Sequence, residues 1–244
     1  MSFVITLYVR EGIVMAADSR LTLNTTRDEG GKQVVSVAVA QSDSNYKLFL
    51  APGNVGISTY GAADIHGVPI AGFIESFIQE QLADHTLPPS EASASLLAFF
   101  QKFSPPPDTQ FHVAGYAFNG GSAEQQVWSV NIRGKIVSRL NPPGEQGASW
   151  GGEGDILSRI LMPMAEVDPQ GKMVRQAPFF PIPWQFFTLQ DAIDFAVFSV
   201  RSTIEAIRFQ PRPKTVGGPI DVLVLKPNVA HWVQRKALAV TYGT

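Results

Sequence analysis

The chain has no cysteine, which excludes disulfide bonds, thiol nucleophiles and cysteine-ligated metal together. It also carries little charge: Asp, Glu, Lys and Arg make up 16% of the residues, and the formal net charge is -2. Without a basic field to hold a phosphate backbone, nucleic acid is not expected as a partner. Long hydrophobic runs are missing as well. The apolar stretches Pro69 to Ile78 and Phe179 to Phe187 are short and broken by Pro, Gly or polar residues, so no membrane is expected either. The few histidines, His66, His85, His112 and His231, lie far apart without ligand-like spacing, and neither a metal nor another cofactor is expected. The first residues lack the basic start, apolar stretch and small-residue cleavage site of an export signal; secretion is disfavoured and a cytoplasmic location expected. The acceptor-like triplet Asn24-Thr25-Thr26 means little without export.

What is present is apolar material for one large core: 45% of 244 residues are hydrophobic, and residues 1–244 read as a single domain. Period-two alternation predicts strands over Phe3 to Arg10 and Ile13 to Asp18, with Glu11-Gly12 as the tight turn. Residues 23–45 read as an inserted, protruding hairpin turning at Glu29-Gly30-Gly31. Tyr46 to Ala51 and Val55 to Tyr60 form a further strand pair joined by Pro52-Gly53-Asn54. Helices are predicted over Ala62 to Ala83 and over Glu91 to Phe103, the second with Ser90 as N-cap. Strands follow at Gln110 to Phe118, Gln125 to Asn131 and Lys135 to Leu140, then a short helix at Gly151 to Pro163. Thr188 to Phe209 carries the cleanest helical stripe and a capping-box spacing at Thr188 and Asp191. Pro219 to Lys226 and Ala230 to Arg235 close the chain as strands. Hairpins segregated from helix pairs imply an α+β fold with two antiparallel sheets stacked between helices, a four-layer αββα sandwich.

The chemistry centres on Ser2. Trimming of the initiator Met before a small residue leaves Ser2 with a hydroxyl and a free amine. An unperturbed α-amine has a pKa of roughly 7.7 to 8.0, so near neutral pH it accepts a proton from the hydroxyl and later returns it. Pairing of the first two strands returns Asp18 beside Ser2, where a carboxylate orients the amine. Lys47, opening the next strand, is placed to lie beside the same pair and favour ionisation of the hydroxyl. Each residue has a bland alternative: a commonplace second-position serine, a solvated turn at Asp18-Ser19-Arg20, a surface lysine at a strand start.

The segments TLYVREGIVMAADSRLT, YKLF, GISTYGAAD and VGGPIDVLVL resemble, in this order, those of proteasome β-type subunits and bacterial ring-protease homologues, the N-terminal-nucleophile hydrolases. The likeness runs from Ser2 to about Val233. Registered on Gly12-Ile13-Val14, it implies Ser2 as nucleophile, Asp18 and Lys47 as catalytic partners and the backbone N–H of Gly61 as the oxyanion donor. Substrate would then lie extended between Arg20, Leu21, Thr22 and Leu23 on one side and Thr59 to Ala63 on the other. The resemblance further implies a protein or peptide substrate and a homo-oligomer, a double ring of 14 or alternatively 12 copies; it leaves open whether an unfolding ATPase feeds the chamber.

Departures from the family pattern matter. Serine replaces the usual threonine and lacks the methyl that restricts the side-chain torsion. Gly152 and Pro213 stand where the resemblance calls for a serine and an aspartate, with Ser149 or Glu153 as the alternatives to replace them. A long insertion between Asp18 and Lys47 and a nucleophilic serine resemble the proteasome homologue of betaproteobacteria. Competing functions are an inactive structural ring subunit, a small-molecule amidase of the same class, and a module that binds through its sheet edges alone.

Overall fold

The computed structural model describes residues 2–83 and 86–239; Met1 and His85 lie outside them. In chain order the elements are β1 (Phe3–Val9), β2 (Gly12–Ala17), β3 (Leu21–Glu29), β4 (Lys32–Ser42), β5 (Leu48–Ala51), β6 (Val55–Gly61), β7 (Asp64–Ile65) and β8 (Val68–Pro69). Helix α1 (Ile70–Phe77) runs into one π turn (Ile78–Leu82) and is followed by α2 (Pro89–Phe100). Next come β9 (Thr109–Asn119), β10 (Ser122–Asn131), β11 (Ile136–Arg139), β12 (Gly147–Gly152), α3 (Asp155–Leu161), β13 (Ala165–Val167) and β14 (Met173–Gln176). Helix α4 (Leu189–Phe209), β15 (Asp221–Lys226) and β16 (Val229–Gln234) complete the order.

Two five-stranded antiparallel sheets dominate, ordered β12-β1-β2-β15-β16 and β11-β10-β9-β6-β5. Alternation along the strands sends side chains to opposite faces, so each sheet feeds two apolar layers. Val4, Met15, Ala114, Val127 and Leu223 pack between the sheets. Phe3, Ile5, Leu7 and Val222 point the other way, against Leu157 of α3 and the Ala192, Ala196, Val200 stripe of α4. Ile57, Phe111 and Val113 meet Ile74 and Phe77 of α1 and Leu96 and Phe100 of α2 across the far face of the second sheet. The αββα sandwich expected from the element order is the observed architecture.

Several local expectations needed correction. The first turn is Arg10-Glu11; Gly12 already pairs with Val9 in the sheet. A Cβ on Gly12 would lie 2.9 Å from the Leu225 carbonyl oxygen, so glycine serves close strand approach there, not turn geometry. The helix predicted from Ala62 begins only at Ile70, because the left-handed His66 and Gly67 turn the chain between β7 and β8. In α2 the N-cap is Pro88 and Ser90 lies inside the helix: Pro89 in the first turn supplies a preset φ and needs no donor. The helix predicted over Gly151 to Pro163 is confined to α3, and residues 147–152 form β12, whose small side chains carry no strand pattern of their own. Pairing with β1 imposes it, from Phe3 opposite Gly152 to Tyr8 opposite Gly147. The Thr188 and Asp191 capping box is present as expected.

A polar row crosses the apolar layer between the sheets. Ser58, His112 and Ser129 are neighbours on adjacent strands, and the His112 ring nitrogen Nδ1 is 3.1 Å from Thr6 Oγ1 of the opposite sheet. The edge of the Tyr60 ring also meets the His112 ring, with centroids 5.4 Å apart. Burial disfavours the imidazolium and pushes the His112 pKa from 6.5 down to about 4. The folded-state value lies below the unfolded one, so this group's contribution to stability is complete above pH 6.5 and is lost as pH falls through 4. Its size is about 3 kcal/mol. Urea unfolding of wild type and His112→Gln between pH 7 and 4 is expected to show a stability difference shrinking by about that amount toward the acid end.

Candidate active site

Strand register brings the start of β1 and the end of β2 together. Val4 opposes Ala17, so Asp18 falls beside Phe3: its N–H donates to the Phe3 carbonyl at 3.3 Å and its Oδ1 accepts the Phe3 N–H at 3.0 Å. Lys47 enters from the second sheet, immediately before β5, and its Nζ donates to the same Oδ1 at 2.8 Å. The other oxygen, Oδ2, accepts the N–H groups of Arg20 at 3.1 Å and Gly217 at 3.0 Å. Both charges are buried, Asp18 fully and Lys47 to within 3% of its surface. Loss of hydration dominates at Lys47 and holds its ammonium below the usual 10.5, with Lys236 and Arg20 acting in the same sense and Asp18 opposing them.

Arg20 braces this corner from outside. Its guanidinium makes a two-pronged contact with Asp43, Nε to Oδ1 and Nη2 to Oδ2 at 2.7 Å each, which raises the Arg20 pKa and lowers that of Asp43. The guanidinium lies against Gly217, where a Cβ would come within 2.4 Å of it.

Ser2 is buried, and its carbonyl accepts the Glu153 N–H at 2.8 Å. Gly152 has φ +87, and a Cβ there would stand 1.8 Å from the Ser2 carbonyl oxygen. A side chain at this place would force Ser2 or the β12 end to shift. Of the two alternatives, Ser149 opposes Thr6, about 13 Å along the strand from Ser2. Glu153 is adjacent instead. Its carboxylate accepts Thr215 Oγ1 at 2.9 Å and Arg212 Nη1 at 3.3 Å, so residues 212–217 reach both Glu153 and, through Gly217, Asp18.

Six residues singled out in the sequence line one narrow cleft: Ser2, Arg20, Leu21, Lys47, Thr59 and Ala63. Tyr60 and Ala62, inside the expected Thr59 to Ala63 segment, also line it; Asn45 and Ile70 complete it and were missed. Thr22 and Gly61 stand apart from this lining. Thr22 is buried with its Oγ1 unpartnered among the described residues. Gly61 has φ +104, and a Cβ on it would approach the Asp108 carbonyl oxygen to 2.6 Å, so its backbone needs glycine irrespective of any ligand. A larger cavity lined by Asp64, His66, Pro105, Pro106 and Arg133 adjoins the cleft through Ala62. The Phe3, Arg20 and Gly217 N–H donors escaped the sequence reading because the last lies 199 positions from its acceptor. The chain could be scanned for glycines, but not for which carboxylate each would meet.

Two stability effects follow. Gly152→Ser is expected to cost at least about 2 kcal/mol, combining left-handed strain with the collision at Ser2. Lys47→Ala leaves the buried Asp18 carboxylate with backbone donors alone and is expected to cost about 3 kcal/mol. Both are measured by chemical denaturation at neutral pH.

No protein-family model matches the chain, and no curated protein does. Among solved structures, the Gly-1 mutant of Anbu from Hyphomicrobium sp. strain MC1 superposes with a TM-score of 0.58 at 14% identity, covering 99% of this chain and 89% of that one. The shared property is the fold.

Proposed function

We propose that the chain is a self-compartmentalising N-terminal-nucleophile peptidase that cuts amide bonds by acyl transfer. The observation that carries the reading is that Ser2 and Lys47 line one cleft while the buried Asp18 holds Lys47 from behind, the three residues coming from the ends of three strands. Its fold is that of a solved bacterial Anbu, which favours assembly into a proteasome-like ring. A double ring of 14, or alternatively 12, copies in the cytoplasm is the form proposed, with the betaproteobacterial proteasome homologue as the proposed relative.

Once Met1 is removed, Ser2 Oγ attacks the scissile carbonyl carbon and its proton passes to the Ser2 amine. The carbonyl oxygen becomes an oxyanion held by the Gly61 N–H; collapse breaks the C–N bond, and the ammonium returns the proton to the leaving amine. Water then hydrolyses the ester and regenerates Ser2. Lys47 and Asp18 touch neither product. The Lys47 ammonium biases the hydroxyl toward ionisation, while Asp18 holds Lys47 and, through the Phe3 N–H, fixes the start of β1. Substrate adds beside β3, which pairs only with β4 among the described residues and so keeps a second edge for main-chain hydrogen bonds.

The test is to incubate the trimmed protein with a peptidyl epoxyketone, which needs both amine and hydroxyl, and record intact mass. Expected are one adduct per chain and peptide cleavage; Ser2→Ala loses the adduct and at least about 100-fold in rate while keeping its thermal midpoint. A trimmed chain with a free Ser2 amine that forms no adduct would establish the scaffold reading instead.

A further inference from the structure

A second buried ion pair, with no part in the acyl-transfer steps, lies close to the first. Asp221 opens β15 opposite Ala17, the residue before Asp18. Lys236 follows β16, and both its Nζ and its backbone N–H donate to the Asp221 carboxylate, the N–H at 2.8 Å. Asp221 keeps 1% and Lys236 5% of its side-chain surface exposed. Replacing such a pair by apolar groups is often neutral or stabilising, so stability alone gives no reason for charge at this place.

The same lysine reaches the approach to Lys47. Its Nζ stands 4.3 Å from the centroid of the Tyr46 ring and the Arg235 guanidinium carbon 5.1 Å from it, so two cations hold the residue that immediately precedes Lys47. Gln234 donates to the Ile220 carbonyl at 2.8 Å, which ties the chain leaving β16 to the entry of β15. The charged groups around Lys47 then come from four directions: Asp18 at the exit of β2, Arg20 with its partner Asp43, the Ser2 amine at the start of β1, and Lys236 with Asp221. Of the last pair it is the cation that bears on Lys47. It disfavours the Lys47 ammonium in the same sense as burial and Arg20, while Asp18 favours it.

We propose that Lys236 is a positioning residue for Lys47: anchored on Asp221 and stacked on Tyr46, it fixes the chain entering β5 and sets a second cation near the first. This role rests on the peptidase reading above, in which cleavage needs Lys47 charged. A neighbouring cation makes Lys47 give up its proton earlier, so cleavage falls off at a lower pH than with Asp18 alone. The test follows Lys47 by carbon NMR of protein labelled at lysine Cε, its resonance assigned through Lys47→Arg, beside the pH profile of kcat/KM for peptide cleavage from neutral pH to about 11. Lys236→Met/Asp221→Asn removes both charges and leaves no buried ion unpaired; the Lys47 transition and the alkaline limb are both expected to rise by about one pH unit. Lys236→Gln, which keeps a donor to Asp221, serves the same comparison should the double variant fail to fold, and Lys236→Arg, which keeps the cation, is expected to hold the limb in place. A folded variant whose Lys47 transition stays where it was, or whose kcat/KM falls equally at every pH, overturns the role of Lys236 and leaves cleavage at Ser2 untouched. A Lys47 transition that moves while the alkaline limb stays fixed, or a trimmed parent that cleaves nothing, overturns instead the part given to Lys47 in the peptidase reading.

Discussion

Burying the Asp18 carboxylate or the Lys47 ammonium alone would cost several kcal/mol, and the fold is arranged so that neither is buried alone. The 2.8 Å contact between them bridges the two sheets: Asp18 leaves β2 in one and Lys47 precedes β5 in the other. Three backbone N–H groups, from Phe3, Arg20 and Gly217, supply the remaining donors. The start of β1, the exit of β2 and the approach to β15 are therefore tied to one carboxylate. Displacing any of them would leave part of a buried charge unsatisfied.

Glycines make room for this convergence. Gly152 lets β12 close onto the Ser2 carbonyl, Gly217 admits the Arg20 guanidinium, and Gly12 allows β2 to approach β15. Each position is set by a backbone or side chain distant in sequence, so a side chain at any of them would push the strand ends apart. The residues 212–217 connect these contacts, since Arg212 and Thr215 hold Glu153, whose N–H grips Ser2, while Gly217 holds Asp18. The polar groups around Ser2 thus come from a loop that closes late in the chain.

The inter-sheet layer shows the opposite economy. It is mostly apolar, but the row Ser58, His112 and Ser129 with its partner Thr6 crosses it, Gln125 donates across it to the Val9 carbonyl, and burial there keeps the imidazole neutral. Tyr60 joins that row to the cleft, because its ring meets His112 on one side and lines the Ser2 cleft on the other. The hairpin of β13 and β14 is exposed along both strands.

The alternating runs that became β1, β2, β6, β9 and β15, and the stripe that became α4, were legible because period and capping are local properties of the chain. So was the return of Asp18 to the start of β1, which one hairpin register dictates, whereas Lys47 reaches it only through the packing of the second sheet. The strand β12 and the hairpin of β13 and β14 were not legible, for small or mixed residues take strand geometry from a partner. By itself the sequence determined the layer order and which side chains could carry chemistry. Tertiary structure alone decided that Glu153, not Ser149, stands beside Ser2, and that Gly217 holds Asp18 from 199 positions away. The physical reason is that burial and hydrogen-bond partnership are set by strands packed from distant parts of the chain, whereas propensity and period reach only a few residues.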